Sequence, residues 1–331
     1  PGSGPLAPST LARTLREEWG YELEQKTLAE HPRLGELRSV YVDGRHPRLL
    51  LNGRLLPRQR AFILAREIGY RHLGLGERAV TSSWLEVESF EQLLNNLKAS
   101  YFAGALLIAA DSLTRDLEKV FAAPRWRARA LRGLLRRHGA TPEMLFYRLT
   151  ELVPQRFGLR EIFFLRLTRR AGSDAVRLTK IFNMSRVLVP HGINLGEHYC
   201  RRWPAFGLLA ELAGGEDGED PERPLIGVQR STFLDQEAEF FVLSMARPLV
   251  LSPGTHSCVS LGFLLDGDFR RRVRFWDDPE IPQVEVNLTC ERCSLSAAEC
   301  TDRVAEPVLS RRRSEQQSKR EALARLVDTF G

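Results

Sequence analysis

The apolar pattern of this chain changes period once, at Gly158, and that change limits the folds open to it. Upstream, apolar residues recur at helical spacing; downstream, they fall in short runs rich in β-branched and aromatic residues. Leu11, Leu15, Trp19 and Leu23 predict an amphipathic helix over residues 10–28. Two apolar runs, at residues 40–42 and 49–51, flank Asp43-Gly44 and predict a hairpin. Helices are then expected over residues 57–73, 89–110, 113–121, 126–137 and 142–152, with Pro57 and Pro142 in first turns. Small residues Ala99, Ala103, Gly104 and Ala105 suit close packing of the second of these. Strands are expected over 162–167, 177–182, 225–233, 239–245 and 256–264, and the acidic, glycine-rich stretch 214–220 reads as an exposed loop. The expectation is an α+β chain: a mainly helical domain over residues 6–155, a sheet-containing domain over 156–309, and a charged tail over 310–331.

Composition bounds the function. With 331 residues, 43% hydrophobic and 27% charged, the chain has the make-up of a soluble globular protein. Its longest apolar stretch, around 101–110, is about half of the ~20 residues a bilayer span needs, so no membrane partner is expected. The opening Pro1-Gly2-Ser3-Gly4-Pro5 has neither a charged nor an apolar leader region, so no secretory signal is expected. The absence of an initiating Met suggests further sequence upstream, and the cytoplasm is the expected location. The net charge of +6 is carried mainly by arginine and is spread along the chain without interleaved aromatics. That distribution favours a solvated surface over a nucleic-acid site.

The segment Ala65-Arg66-Glu67-Ile68-Gly69-Tyr70 stands where a metallopeptidase helix could stand. Such an enzyme needs His-Glu-x-x-His, with two histidines one turn apart on one helix face and a glutamate that polarises the metal-bound water. Glu67 is present, but Arg66 and Tyr70 occupy the ligand positions and His72 is two residues out of phase. The surroundings resemble the ImmA/IrrE type of metallopeptidase, whose following helix is similar to the segment from Asn95 to Ile108. There the third ligand is also missing, with Asn96 and Lys98 at the corresponding positions. No enzymatic activity is expected.

Five cysteines remain. Cys290-Glu291-Arg292-Cys293 with Cys300 forms C-x2-C-x6-C, a loop able to supply three thiolates to one metal centre. Cys200 is the candidate for a fourth, and Cys258, in an expected strand, reads as a buried free thiol. Spacing alone leaves three readings open: a [4Fe–4S] cluster, a zinc ion, or unligated thiols.

Together these segments resemble the short-chain fatty acyl transcriptional regulators, which include bacterial regulators of propionate and acetate catabolism. The resemblance is carried by residues 101–107, by Glu143-Met144-Leu145-Phe146-Tyr147-Arg148-Leu149, by Ile162-Phe163-Phe164-Leu165-Arg166, by Cys200 with Trp203, and by the closing cysteines. Two features depart from the family pattern. Arg201-Arg202 separates Cys200 from Trp203, and three extra residues lie between Cys293 and Cys300. The resemblance implies an inactive ImmA/IrrE-like domain followed by a GAF-like sensor domain. It also implies a [4Fe–4S] cluster on Cys200, Cys290, Cys293 and Cys300, and a ligand that is coenzyme A or a short-chain acyl-CoA. Promoter DNA would be met through a helix-turn-helix that this chain does not contain, with a homodimer expected. Arginine forks suit phosphates, and Arg186, Arg230 and Arg247, in or beside the expected sensor strands, are the candidate ligand contacts.

Overall fold

The computed structural model describes residues 4–81, 89–191, 197–214, 220–296, 298–304, 315–321 and 325. The N-terminal part is built on a small sheet of β1 (Glu22–Glu24), β2 (Ser39–Val42) and β3 (Arg48–Leu51), in the order β1-β3-β2. The expected hairpin is the antiparallel β2/β3 pair, and β1 runs parallel to β3. Helix α1 (Pro8–Trp19) stops earlier than its apolar spacing suggests. Gly20 takes the left-handed conformation, φ 64°, and its N–H closes on the Arg16 carbonyl. Leu23 therefore enters the sheet, and Leu28 belongs to the single-turn helix α2 (Thr27–Glu30). Helix α3 (Pro57–His72) packs between α1 and α4 (Phe90–Leu107). Ser89 caps α4 by accepting from the Gln92 N–H, and Ala99 and Ala103 are wholly buried, as close packing of small residues requires.

Three helices follow: α5 (Ala110–Phe121), α6 (Ala128–Arg137) and α7 (Pro142–Phe157). Thr141 caps α7 from its side chain onto the Met144 N–H. α7 runs five residues beyond its expected end, continuing through Pro154 until the left-handed Gly158 closes it. Among the described residues no single helix is long and apolar enough to cross a bilayer. The pair α4 and α5 reaches that length only together and is bent by 69° at the break.

The main sheet has six strands: β4 (Ile162–Arg170), β5 (Val176–Asn183), β6 (Leu225–Phe233), β7 (Glu239–Pro248), β8 (Thr255–Leu264) and β9 (Gln283–Val286). Their order is β5-β4-β8-β7-β6-β9, antiparallel except for the β6/β9 pair. All five expected strands are present, each a little longer than or equal to its predicted span. The central strands read as near-continuous apolar runs because both faces are covered. One face presents Phe164, Phe241, Leu243, Met245, Leu261 and Phe263 to α5–α7 and to α9 (Gly267–Arg272). The other presents Phe163, Leu165, Phe240, Val242 and Cys258 to α8 (Pro204–Gly214). The division expected at residue 155 is thus a change of pattern and not a break in the core, since α5–α7 share one apolar cluster with the sheet.

At the centre of that sheet Gly262 on β8 lies opposite Phe163 on β4. A methyl group at Gly262 would stand 2.1 Å from the Phe163 ring, which is itself buried edge-on against Phe240 and Trp203. Gly262→Ala should therefore destabilise the chain by about 1–3 kcal/mol, measurable as a lowered urea midpoint with an unchanged slope.

Candidate functional site

Backbone pairing brings the distant cysteines together. Tyr199 and Thr289 form an antiparallel bridge, the Cys200 N–H donates to the Leu288 carbonyl at 3.2 Å, and the Cys290 N–H donates to the His198 carbonyl at 2.8 Å. Trp203 locks the same junction by donating its indole N–H to the Asn287 carbonyl at 2.9 Å. A turn then folds Cys293 back, its N–H on the Cys290 carbonyl. As a result Cys200, Cys290, Cys293 and Cys300 line one cavity, together with Arg201, Arg202 and Arg303. The first three cysteines are buried. Burial pushes the Cys200 thiol up to about 11, and the neighbouring Cys290 and Cys293 add to that shift. Cys258 faces the apolar cluster under α8 instead, where burial holds it at about 12.

The donor set suits a thiolate-bound metal group. Four ionised thiols would place a large negative charge in a buried space; the wall carries three arginines against two carboxylates, Glu285 and Asp302, and Arg202 pairs with Asp302 at 3.8 Å. The Arg201 Nε is buried beside the cavity without a hydrogen-bond partner, which is costly unless something at the site accepts from it. The cavity is narrow, about 10 Å³, near the lower limit for one water molecule. Among the described residues no group of three or more His, Cys, Asp or Glu is arranged to hold a single ion. The turn from Cys290 to Cys293 forms part of the cavity wall. That turn is tied down by polar side chains: Glu291 accepts from the His198 backbone N–H at 2.9 Å and its Oε1 lies 2.8 Å from the His198 Nδ1, while Arg292 pairs with Glu197 at 3.0 Å.

A second, larger cavity of about 510 Å³ opens between α3, α4, α7 and the β4–β5 edge of the main sheet. Its walls carry five cations, Arg38, Arg66, Arg148, Lys180 and Arg247, against two carboxylates, Glu143 and Glu151. Apolar side chains, among them Phe62, Leu93, Met144 and Phe164, make up much of the rest. Glu143 is desolvated, yet Lys180 at 2.6 Å and Arg166 at 3.7 Å hold it well below the usual carboxylate range. Burial pushes Arg247 down to about 10, with Arg38 and Arg166 adding to the shift and Glu143 opposing it. Burial also lowers Arg38 and Arg66, and the Arg66 Nε has no hydrogen-bond partner. An excess of desolvated guanidinium groups around an apolar space is a setting that stabilises an anionic ligand with an apolar portion.

Of the three arginines expected to contact a ligand, only Arg247 lines this cavity. Arg230 lies on β6, paired with Glu239 at 2.7 Å and stacked over Trp276. Arg186 lies beyond the end of β5, exposed and paired with Glu161 at 3.5 Å. Strand membership placed neither: the cavity opens at the β4–β5 edge, whereas Arg230 is on β6 toward the opposite edge and Arg186 lies past the end of β5. Sequence reasoning missed Arg38, Arg148 and Lys180. Arg148 had a signal, since it falls among Leu145, Leu149 and Leu152 on the buried face of α7.

The segment expected to stand at the position of a peptidase helix lies in α3. Glu67 is fully buried, and both its oxygens accept from Arg78, each at 2.7 Å. The Arg78 guanidinium lies between the rings of Tyr41 and Tyr70, 3.7 and 4.2 Å from their centroids. Arg66 donates to the Asn96 side chain at 3.3 Å, so two of the positions that would ligate zinc bond to each other instead. His72 stacks on Phe102 at the exposed end of the helix.

No protein-family model and no curated protein sequence matches the chain. Among solved structures it is similar to a Mycobacterium tuberculosis transcriptional regulator, with a TM-score of 0.58 and 19% identity. The alignment covers 88% of this chain and 82% of that one. At this identity the likeness is one of fold, and it is an α+β fold that the two share.

Removing one member of the buried Glu67–Arg78 pair leaves an uncompensated charge. Arg78→Met should cost about 3–5 kcal/mol of stability in urea unfolding, and the double variant Glu67→Gln/Arg78→Met should cost less than that single change.

Proposed function

We propose that this chain is the sensory portion of a bacterial transcription regulator of the short-chain fatty acyl type, and that its four clustered cysteines hold a [4Fe–4S] cluster. One observation carries the reading. Cys200 lies 90 residues from Cys290 in sequence, and the Tyr199–Thr289 bridge brings it to the same cavity wall as Cys290, Cys293 and Cys300. When bound, a cluster would supply either a one-electron redox response or a covalent tie between the α8 end and the closing loop. The chain's own residues supply the rest. The four thiols bind, Arg201, Arg202 and Arg303 balance charge, and Trp203 holds the two cysteine-bearing segments together.

The 510 Å³ cavity is the proposed site of coenzyme A or a short-chain acyl-CoA. Its arginines suit phosphate oxygens, and its apolar wall suits the rest of the ligand. It joins α3 and α4 of the N-terminal part to β4, β5 and β7 of the main sheet. Occupancy would therefore bias how those two parts sit, and this would pass to promoter DNA through a helix-turn-helix outside this chain. In this reading the N-terminal part is a scaffold and not a peptidase, because Glu67 is committed to Arg78. The six-stranded, mostly antiparallel sheet covered on both faces suits a GAF-like sensor, and the proposed protein acts in the cytoplasm as a homodimer. A second reading is a single zinc ion on the same thiols, which would staple the loop without redox sensing.

Purification without oxygen, followed by iron, acid-labile sulfide and zinc analysis, separates these readings. The cluster reading expects a brown protein with about four irons and four sulfides per chain, and Cys200→Ser with lowered iron content. One zinc per colourless chain would establish the staple. For the ligand, titration calorimetry with propionyl-CoA should show Arg247→Ala weakening binding by about tenfold or more, with Arg186→Ala unchanged. Equal losses in both variants would remove the 510 Å³ cavity as the site.

A further inference from the structure

The arginines of this chain are not evenly used. From Lys119 to Pro142 there is no Asp or Glu, and six arginines fall within that stretch. On α6, Arg129, Arg132 and Arg136 recur at three- and four-residue spacing and all are exposed, forming a row on one helix face with neighbours about 5–6 Å apart. The opposite face of α6, Leu131, Leu134 and Leu135, is spent in the core. A second basic run, Arg270 to Arg272 with Arg274, is seated beside the first. The Arg274 N–H donates to the Phe121 carbonyl at 2.8 Å, Trp126 stacks against Phe275 at 5.7 Å, and the buried Asp278 receives both Arg125 and the Trp126 backbone N–H at 2.8 Å. Between the runs lies a groove of about 220 Å³ with Trp126 and Phe275 in its floor and Lys119, Arg127 and Arg129 on its rim.

Density separates this surface from the rest. Elsewhere, some exposed arginines have carboxylate partners, as Arg48 with Glu22, Arg156 with Asp111 and Arg186 with Glu161, and those without an ion pair among the described residues, such as Arg33, Arg45 and Arg177, stand apart in sequence. Among the described residues, Arg127, Arg129, Arg132, Arg136, Arg272 and Arg274 form no ion pair, although Arg125, Arg137 and Arg271 do. The exposed acids on the flanking segments are Glu118, Asp268, Asp277 and Glu280, and Asp268 pairs with Arg271. Six uncompensated cations on two adjoining segments raise the local potential far above that of a charge-balanced surface.

We propose that the exposed face of α6 and the adjoining segment 270–274 form a contact surface for the sugar–phosphate backbone of duplex DNA, separate from both cavities. A row of arginines matches a row of phosphates, and neutralising them releases condensed counterions. An anionic membrane is the weaker partner, because a membrane-surface helix inserts an apolar face and the apolar face of α6 is buried. The surface reads no sequence. Its role is to add affinity and fix orientation once DNA is near.

The test is fluorescence anisotropy of the purified chain on a labelled mixed-sequence 20-base-pair duplex, titrated at several salt concentrations. The variant Arg129→Ala/Arg132→Ala/Arg136→Ala is compared with a charge-matched control, Arg33→Ala/Arg45→Ala/Arg177→Ala, after both are shown by thermal unfolding to keep the parent's stability. The patch variant should lose about tenfold or more in affinity at low salt, and its log–log salt slope should flatten by about 3, while the control stays close to the parent. Equal losses in the two variants, an unchanged slope, or capture by phosphatidylserine vesicles without duplex binding would each overturn the proposal. Neither the cluster nor acyl-CoA enters this measurement, so it fails or succeeds independently of the sensory reading.

Discussion

The rest of the molecule hangs on the two-sided burial of β4, β8 and β7. Alternate residues of these strands face opposite layers, so Phe163 and Phe240 enter one core while Phe164 and Phe241 enter the other. The arrangement tolerates no side chain at Gly262, where the Phe163 ring fills the space a Cβ would need. Each layer then positions one candidate site. The layer with α8 seats Trp203 and, through its hydrogen bond to Asn287, the junction of the cysteine segments. The layer with α7 presents Glu143, Tyr147, Arg148 and Glu151 to the cation-lined cavity. A single sheet thus couples two sites that share no residue.

In the N-terminal part a buried carboxylate is held by a buried cation. Arg78 holds Glu67 through two hydrogen bonds between two tyrosine rings, a permanently charged group with no open coordination position. The network extends through Arg71, which donates to the hydroxyls of Tyr21 and Tyr41. Such a centre ties α3 to the small sheet. The same helix places Arg66 on the wall of the larger cavity.

Two of the three candidate surfaces are defined by arginines that lack carboxylate partners, and their chemistry differs by burial. Arg38, Arg66 and Arg247 are desolvated, which lowers their affinity for protons and strengthens their interaction with any anion that enters. The arginines of α6 are solvated, so their attraction is long in range, weak per contact and sensitive to salt. The first setting suits selection of a small ligand, and the second suits a polyanion.

Much of the fold was legible because it rests on local rules. The helix-to-strand change at Gly158, the helix starts at Pro57 and Pro142 and all five expected strands follow from periodicity and local helix-start signals, which need only near neighbours. The set of four cysteines was likewise legible as a set of residue types. What failed locally failed for a physical reason. Trp19 and Leu23 keep helical spacing across Gly20, and only its left-handed backbone shows that the helix has ended. Long-range placement was decided by tertiary structure alone. The bridge that sets Cys200 beside Cys290, the seating of Arg274 against Phe121, and the choice of Arg247 over Arg186 and Arg230 depend on strand order and on which sheet face each helix covers. The charge that looked evenly spread in sequence is gathered into a patch for the same reason: one buried sheet brings α6 and the segment after α9, more than 130 residues apart in the chain, onto the same side of one core.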